Sequence, residues 1–205
     1  MSLKNKSCGI HGLPIKILKC THDIFSPVLS RIINNSFSLG IFPDVLKVAK
    51  VTPIKKPGNS TSISNYRPIS ILPVISKVFE KIIHKQLYRY LENNSILFKY
   101  QFGFRTKKST THAILNFMQY LYNSLDKNNI VISLFLDFKK AFDCVNHKIL
   151  LSKLEFYGVR GVALSWFSSY LSNRKQCTII GNTESNLLSI GDGVPQGSIL
   201  ALCSF

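Results

Sequence analysis

The stretch from Val131 to Asp143 constrains this chain most. Val131-Ile132-Ser133-Leu134-Phe135-Leu136 is apolar but for one serine, and Asp137-Phe138-Lys139-Lys140-Ala141-Phe142-Asp143 then turns polar. A short run of β-branched and aromatic residues predicts a buried strand that ends on the Asp137 carboxylate before helix-compatible residues take over. A carboxylate at the mouth of a sheet needs a partner. Two roles suit it: capping the backbone N–H groups of the next segment, or binding a hard divalent cation that also holds substrate phosphates.

The charge balance points to a polyanionic partner. Lys and Arg number 26 against 10 Asp and Glu, a net +16, and the excess is unevenly placed. Residues 1–108 hold 18 basic and 4 acidic residues, a balance of +14, whereas residues 109–205 hold 8 and 6, a balance of +2. The first region reads as a surface for nucleic acid or nucleotides and the second as the place where chemistry sits, which sets a division after residue 108. With 45% apolar residues, 14 Phe and 8 Tyr, the chain can build a sizeable core. No apolar run approaches the roughly 20 residues of a membrane span, and the N-terminus has no signal-peptide core, so an intracellular protein without membrane contact is expected. Cys8, Cys20, Cys144, Cys177 and Cys203 are widely and irregularly spaced, with no Cys-x-x-Cys pair that a His could complete into a zinc site. They read as reduced thiols, not as a zinc site or a disulfide framework.

Along the chain, residues 1–15 read as a loop, and 22–39 as a helix with Ile24, Phe25, Val28, Leu29, Ile32, Ile33 and Phe37 on one core-facing stripe. Pro27 is tolerable there only in the first turn, and Gly40 is a natural stop. A strand at 48–54 leads through Lys55-Lys56-Pro57-Gly58 to a second extended segment, Asn65-Tyr66-Arg67-Pro68-Ile69-Ser70-Ile71-Leu72. Such a turn presents either a solvated surface or two point charges and a guanidinium fork suited to phosphate. Residues 74–91 read as a helix with Lys77, Lys81, Lys85 and Arg89 along one side, and Ser109-Thr110-Thr111 offers an N-cap for a helix from about 110 to 126 with Ile114, Phe117, Met118, Leu121 and Leu125 inward. Helices at 146–157 and 161–172 follow, the latter with Trp166, Phe167, Tyr170 and Leu171 as core. Gln176 to Ile180 and Asn186 to Ile190, joined through Gly181-Asn182, read as a hairpin, and Gly193-Val194-Pro195-Gln196-Gly197-Ser198 follows as a rigid loop opening into an apolar helix.

Several of these segments, in order, resemble the motifs of the reverse transcriptase domain of non-LTR, LINE-like retrotransposons. The residues that carry the resemblance are Lys6 to Pro14, Pro53-Ile54-Lys55-Lys56-Pro57-Gly58, Asn65 to Ser70, Gln101-Phe102-Gly103-Phe104-Arg105, Asp137 to Asp143 with Asn146-His147, and Gly193 to Ser198. The resemblance implies an α/β (α+β) arrangement, the fingers and partial palm of a right-hand polymerase, with helices packed on an incomplete antiparallel sheet. It implies RNA-directed DNA polymerase (nucleotidyltransferase) activity in a parent protein, acting on an RNA template, a DNA primer and deoxynucleoside triphosphates. A two-ion Mg²⁺ site, with Mn²⁺ as a substitute, would take Asp137 and the Phe138 carbonyl as ligands. Lys56 or Lys55 together with Arg67 would hold the triphosphate, Phe142 would lie under the nucleotide sugar, Gln196 and Gly197 would meet nucleotide and template, and Arg105 would contact nucleic acid.

Two departures accompany the resemblance. His11 stands where the family usually has Asp, and the family's third catalytic motif, an aromatic-Ala-Asp-Asp turn, does not follow Ser198, so a chain truncated before that motif is expected. Asp143, about 240° round a helix from Asp137, is assigned a structural hydrogen bond instead of a metal. A catalytically inactive nucleic-acid-binding remnant is one alternative, and a Mg²⁺ phosphotransferase using Asp137 alone is another.

Overall fold

The computed structural model describes residues 14–58 and 62–200, the Ser64 side chain excepted. The N-terminal motif up to Leu13 and the helix expected beyond Leu200 lie outside the described residues. The chain forms two compact units, one from the residues up to Lys85 together with those from Ala141, the other from Gln86 to Lys140. These packing boundaries differ from the change in charge balance after residue 108.

In the first unit, helices α1 (Ile15–Cys20) and α2 (His22–Leu39) precede strand β1 (Val48–Lys55), strand β2 (Tyr66–Ile71) and the start of α3 (Val74–Asn93). After Ala141 come α5 (His147–Phe156), α6 (Val162–Leu171), β3 (Arg174–Ile180), β4 (Thr183–Glu184) and β5 (Leu188–Ile190); α4 (Thr110–Leu125) belongs to the second unit. β1 pairs antiparallel with β2 and parallel with β3, while β4 and β5 both pair antiparallel with β3. The sheet is therefore mixed, where an antiparallel one was expected. β1 and β3 are joined by a long crossover that includes helices, and such a connection lets two strands run the same way.

The core sits where α2, α3 and α6 meet. Phe42 packs edge-on against Phe79, Trp166 and Tyr170 at centroid distances of 5.5, 5.4 and 5.1 Å, and the Trp166 indole N–H donates to Ser36 Oγ at 3.0 Å. Trp166, Phe167, Tyr170 and Leu171 are buried as their spacing predicts. The α2 stripe is not. Only Ile33 and Ser36 of this helix are buried, and Ile24 is 74% exposed. An open groove of about 560 Å³ runs between Phe25 and Leu29 on one side and Val74, Val78 and Ile82 on the other, so the amphipathic face lacks a neighbour. Pro27 lies beyond the first turn of α2 and is tolerated there, because that half is solvated and the carbonyl deprived of its N–H can bond water.

In the second unit Ser109 Oγ accepts the His112 N–H, capping α4 as its sequence predicts. Its apolar stripe is uncovered, however, and none of its residues is buried. The expected strand at 131–137 does not form either. Val131 to Phe138 has no regular structure, and Ile132, Leu134, Phe135, Leu136 and Phe138 are all exposed. A strand exists only in a ladder, and among the described residues no second strand pairs with this segment.

Candidate active site

The loop from Gly193 to Ser198 is held from several sides within the first unit. Gly193 N donates to the Val145 carbonyl and Val194 N to the Phe142 carbonyl, both at 2.8 Å, and His147 Nε2 lies 2.7 Å from the Gly193 carbonyl oxygen. Asn146 Oδ1 accepts the Ile149 N–H and so starts α5 beside these contacts. On the other flank Ser70 N, on the outer edge of β2, donates to the Gln196 carbonyl at 2.8 Å. Two glycines make this close approach attainable. Gly193 has φ +81° and a Cβ there would lie 2.8 Å from the Asp143 carbonyl oxygen; Gly197 has φ +132° and its Cβ would lie 2.5 Å from that of Ser70.

Between the loop and the sheet lies a cleft of about 210 Å³, lined in part by Pro68, Ser70, Asp143, Arg174, Asp192 and Gln196. At its exposed rim Gln196 Nε2 donates to Asp143 Oδ1 at 2.9 Å. Asp143 thus makes a hydrogen bond within the protein, the kind of role its spacing from Asp137 suggests. Phe142 is half-buried beneath the loop and engages it through its carbonyl.

The β1–β2 register separates the basic candidates. Ile54 lies opposite Arg67 and Lys55 opposite Tyr66, so Lys55 shares a face with Tyr66, Pro68 and Ser70, while Arg67 lies on the other. Lys56 N donates to the Asn65 carbonyl at 2.8 Å, which carries the alternation one step further and puts Lys56 on the Arg67 side. Lys56, and not Lys55, thus shares a face of the ribbon with Arg67.

Asp137, Phe138 and Arg105 belong to the second unit. Asp137 and Phe138 are exposed in the segment without regular structure. Arg105 uses three of its five guanidinium N–H groups within the protein: Nε and Nη2 donate to the two Glu92 oxygens at 3.0 and 2.8 Å, and Nη1 donates to the Phe98 carbonyl at 2.9 Å. This fork, with a third bond from the Tyr88 hydroxyl, holds the Glu92 carboxyl below the usual carboxylate range. Among the described residues no three His, Cys, Asp or Glu side chains gather into a set that could hold a metal ion. One carboxylate and one carbonyl are too few for the near-octahedral oxygen shell that Mg²⁺ requires, so these residues do not make a metal site by themselves. The thiols of Cys20, Cys144 and Cys177 are free, and no helix among the described residues is long and apolar enough to cross a membrane.

Sequence reasoning placed Ser70 and His147 in motifs without giving either a role, and it missed Arg174. Each acts through a contact that no local pattern encodes, although the adjacency of Asn146-His147 to Asp143 was a signal for one of them.

Residues 54–205 match the family model described as reverse transcriptase (RNA-dependent DNA polymerase). The chain is 33% identical over 202 residues to the probable RNA-directed DNA polymerase from transposon BS of Drosophila melanogaster, covering 95% of this chain and 22% of that protein. It is 31% identical over 196 residues to the RNA-directed DNA polymerase from mobile element jockey of the same organism, covering 95% and 21%. For the probable RNA-directed DNA polymerase from transposon X-element, again of Drosophila melanogaster, the identity is 32% over 179 residues, covering 84% and 19%. The chain spans about a fifth of the length of these relatives.

Proposed function

Because this chain belongs to the reverse transcriptase family, in the branch carried by LINE-like mobile elements, we propose that it supplies the fingers and part of the palm for RNA-templated DNA synthesis. Reverse transcriptases in general copy an RNA template with nucleotide substrates and use divalent metal ions. In this reading residues 1–108 contribute the basic surface for an RNA template paired with a DNA primer, and residues 109–205 the catalytic side. Lys56 and Arg67, with Lys55 on the opposite face of the ribbon, meet the phosphates of a deoxynucleoside triphosphate. Phe142 lies under its sugar, and Gln196 and Gly197 meet the nucleotide and the template strand. Arg105, braced by Glu92, has guanidinium protons left for a nucleic-acid phosphate.

Asp137 and the Phe138 carbonyl would give two oxygens to a Mg²⁺ or Mn²⁺ site, with water and substrate phosphates among its other ligands. Bound there, the metal supplies charge for the phosphates and the attacking hydroxyl.

The observation that carries the proposal is the Gly193–Ser198 loop, braced on both flanks with the Gln196 side chain left at the exposed rim of a polar cleft. The experiment is fluorescence anisotropy of a labelled RNA–DNA primer–template duplex titrated with this chain at rising salt. Binding that weakens steeply with salt and has little sequence preference supports the reading, since phosphate contacts release counterions. Salt-independent binding, or none by folded protein, removes it. A nucleic-acid-binding remnant without catalysis is the second reading, favoured because among the described residues Asp137 belongs to no group of three His, Cys, Asp or Glu side chains that could hold a metal ion.

A further inference from the structure

Behind the cleft, α3, α6 and the end of the Gly193–Ser198 loop meet at a carboxylate removed from solvent. Glu80 is fully buried. Its Oε2 accepts the Ile199 N–H at 2.9 Å and its Oε1 accepts the Tyr170 hydroxyl at 2.9 Å, with Ser76 Oγ 3.4 Å away on the same helix. Tyr170 has one proton to give and gives it to Glu80. In the 2.9 Å contact between the Tyr170 and Ser198 hydroxyls, Ser198 is therefore the donor. Ser198 Oγ in turn accepts the Leu200 N–H at 3.1 Å.

Arg174, also buried, lies 4.7 Å over the Tyr170 ring, donates through Nη1 to the Tyr170 carbonyl at 3.0 Å, and opposes the charge of Glu80. A pair of ionisable groups in a core is a poor source of stability, because apolar side chains of the same volume serve as well or better. Its use is sought in what the polar atoms hold. Apart from Ser76, every hydrogen bond of the Glu80 carboxylate ends on the segment after Gly197 or on Tyr170, which passes it on to Ser198.

We infer that Glu80 is a positioning residue: reaching out of α3, it sets the backbone of Ser198 and Ile199 and so fixes where Gln196 and Gly197 are presented. Ser70 clamps the loop on one side, at the Gln196 carbonyl, and Glu80 clamps it on the other. A loop held at both ends presents its side chain without an ordering cost at the moment of binding. The inference rests on the reading of Gln196 as a nucleic-acid contact.

The test compares Glu80→Asp, Glu80→Gln, Ser198→Ala and Gln196→Ala in the whole chain. Three quantities are measured: thermal midpoint, amide hydrogen exchange at Ile199 and at Leu171 in the core, and affinity for the RNA–DNA duplex. Aspartate keeps the charge against Arg174 but is one methylene too short; glutamine loses the charge but keeps an oxygen at the right reach. A positioning role predicts that Glu80→Asp speeds exchange at Ile199 about tenfold or more and weakens duplex binding, while Glu80→Gln largely restores both. Ser198→Ala leaves the core carboxylate intact, so it decides the question if the Glu80 variants fail to fold, and it too should speed exchange at Ile199 and weaken binding. The inference is overturned if Glu80→Asp and Ser198→Ala leave Ile199 exchange unchanged, or if exchange at Leu171 rises as much as at Ile199. If Gln196→Ala binds the duplex like the parent while Ile199 still responds to Glu80, the positioning stands and the reading of Gln196 is what fails.

Discussion

The Gln196 amide nitrogen and the Asp143 carboxylate oxygen lie 2.9 Å apart although their residues are 53 positions apart in the chain. The bond joins the loop to the turn that follows the Asp137 segment, and its exposure makes it easy to exchange for a ligand. An exposed hydrogen bond to a charged group adds about 1 kcal/mol or less once competition from water is counted. Asp143→Ala should therefore lower unfolding free energy by no more than that, while Gln196→Ala weakens binding of an RNA–DNA duplex. Urea unfolding and anisotropy on the two variants check this. A collapse of stability in Asp143→Ala would show that the bond supports the core instead.

Gly197 and Gly181 both have positive φ, but only the first is crowded. A Cβ on Gly197 would lie 2.5 Å from the Ser70 carbonyl oxygen, whereas one on Gly181 meets nothing within 4 Å. Gly181→Ala should cost about 1–2 kcal/mol for the left-handed backbone alone. Gly197→Ala should cost more and also detach the loop from β2. The difference between the two unfolding free energies is the measurement, and equal costs would mean that the loop and β2 separate freely.

Burial raises the Glu80 carboxyl above the ordinary carboxylate range, and the Ile199 N–H, the Tyr170 hydroxyl, the nearby Arg174 charge and the Ser198 hydroxyl offset this only in part. A raised folded-state value means that folding takes up a proton. Stability linked to Glu80 is full below the unfolded carboxylate pKa and is lost as pH rises through the folded value. Urea midpoints followed from about pH 4 to about pH 9 should show the parent losing stability relative to Glu80→Gln as pH rises. A pH-independent difference between the two would mean that Glu80 titrates like an exposed carboxylate.

Primer extension by this chain alone should be absent with Mg²⁺ and with Mn²⁺. Two-ion phosphoryl transfer holds its metals about 3.5–4 Å apart on shared carboxylates. Among the described residues Asp137 stands without the further acidic groups such a site needs. A gel-based extension assay with Asp137→Ala as the control checks this. Product made by the parent and lost in the control would reveal a working site the prediction denies.

The sequence by itself determined what depends on neighbours within a few residues. Ser109 and Asn146 cap α4 and α5 as their side chains dictate, Gly40 ends α2, and Gly181-Asn182 turns β3 into β4. The ordered motifs also announced the family. Tertiary structure alone decided which apolar faces are covered. The α4 stripe and, Ile33 and Phe37 apart, most of the α2 stripe have the right period yet are left without full cover, and the run before Asp137 has strand composition without a strand. It alone placed Lys56, not Lys55, on the side of Arg67, buried Glu80 against Ile199 at a separation of 119 residues, and joined Gln196 to Asp143. The reason is physical. A cap or a turn satisfies its backbone groups locally, whereas burial, strand pairing and a shared carboxylate need a partner that the sequence can supply only from far away.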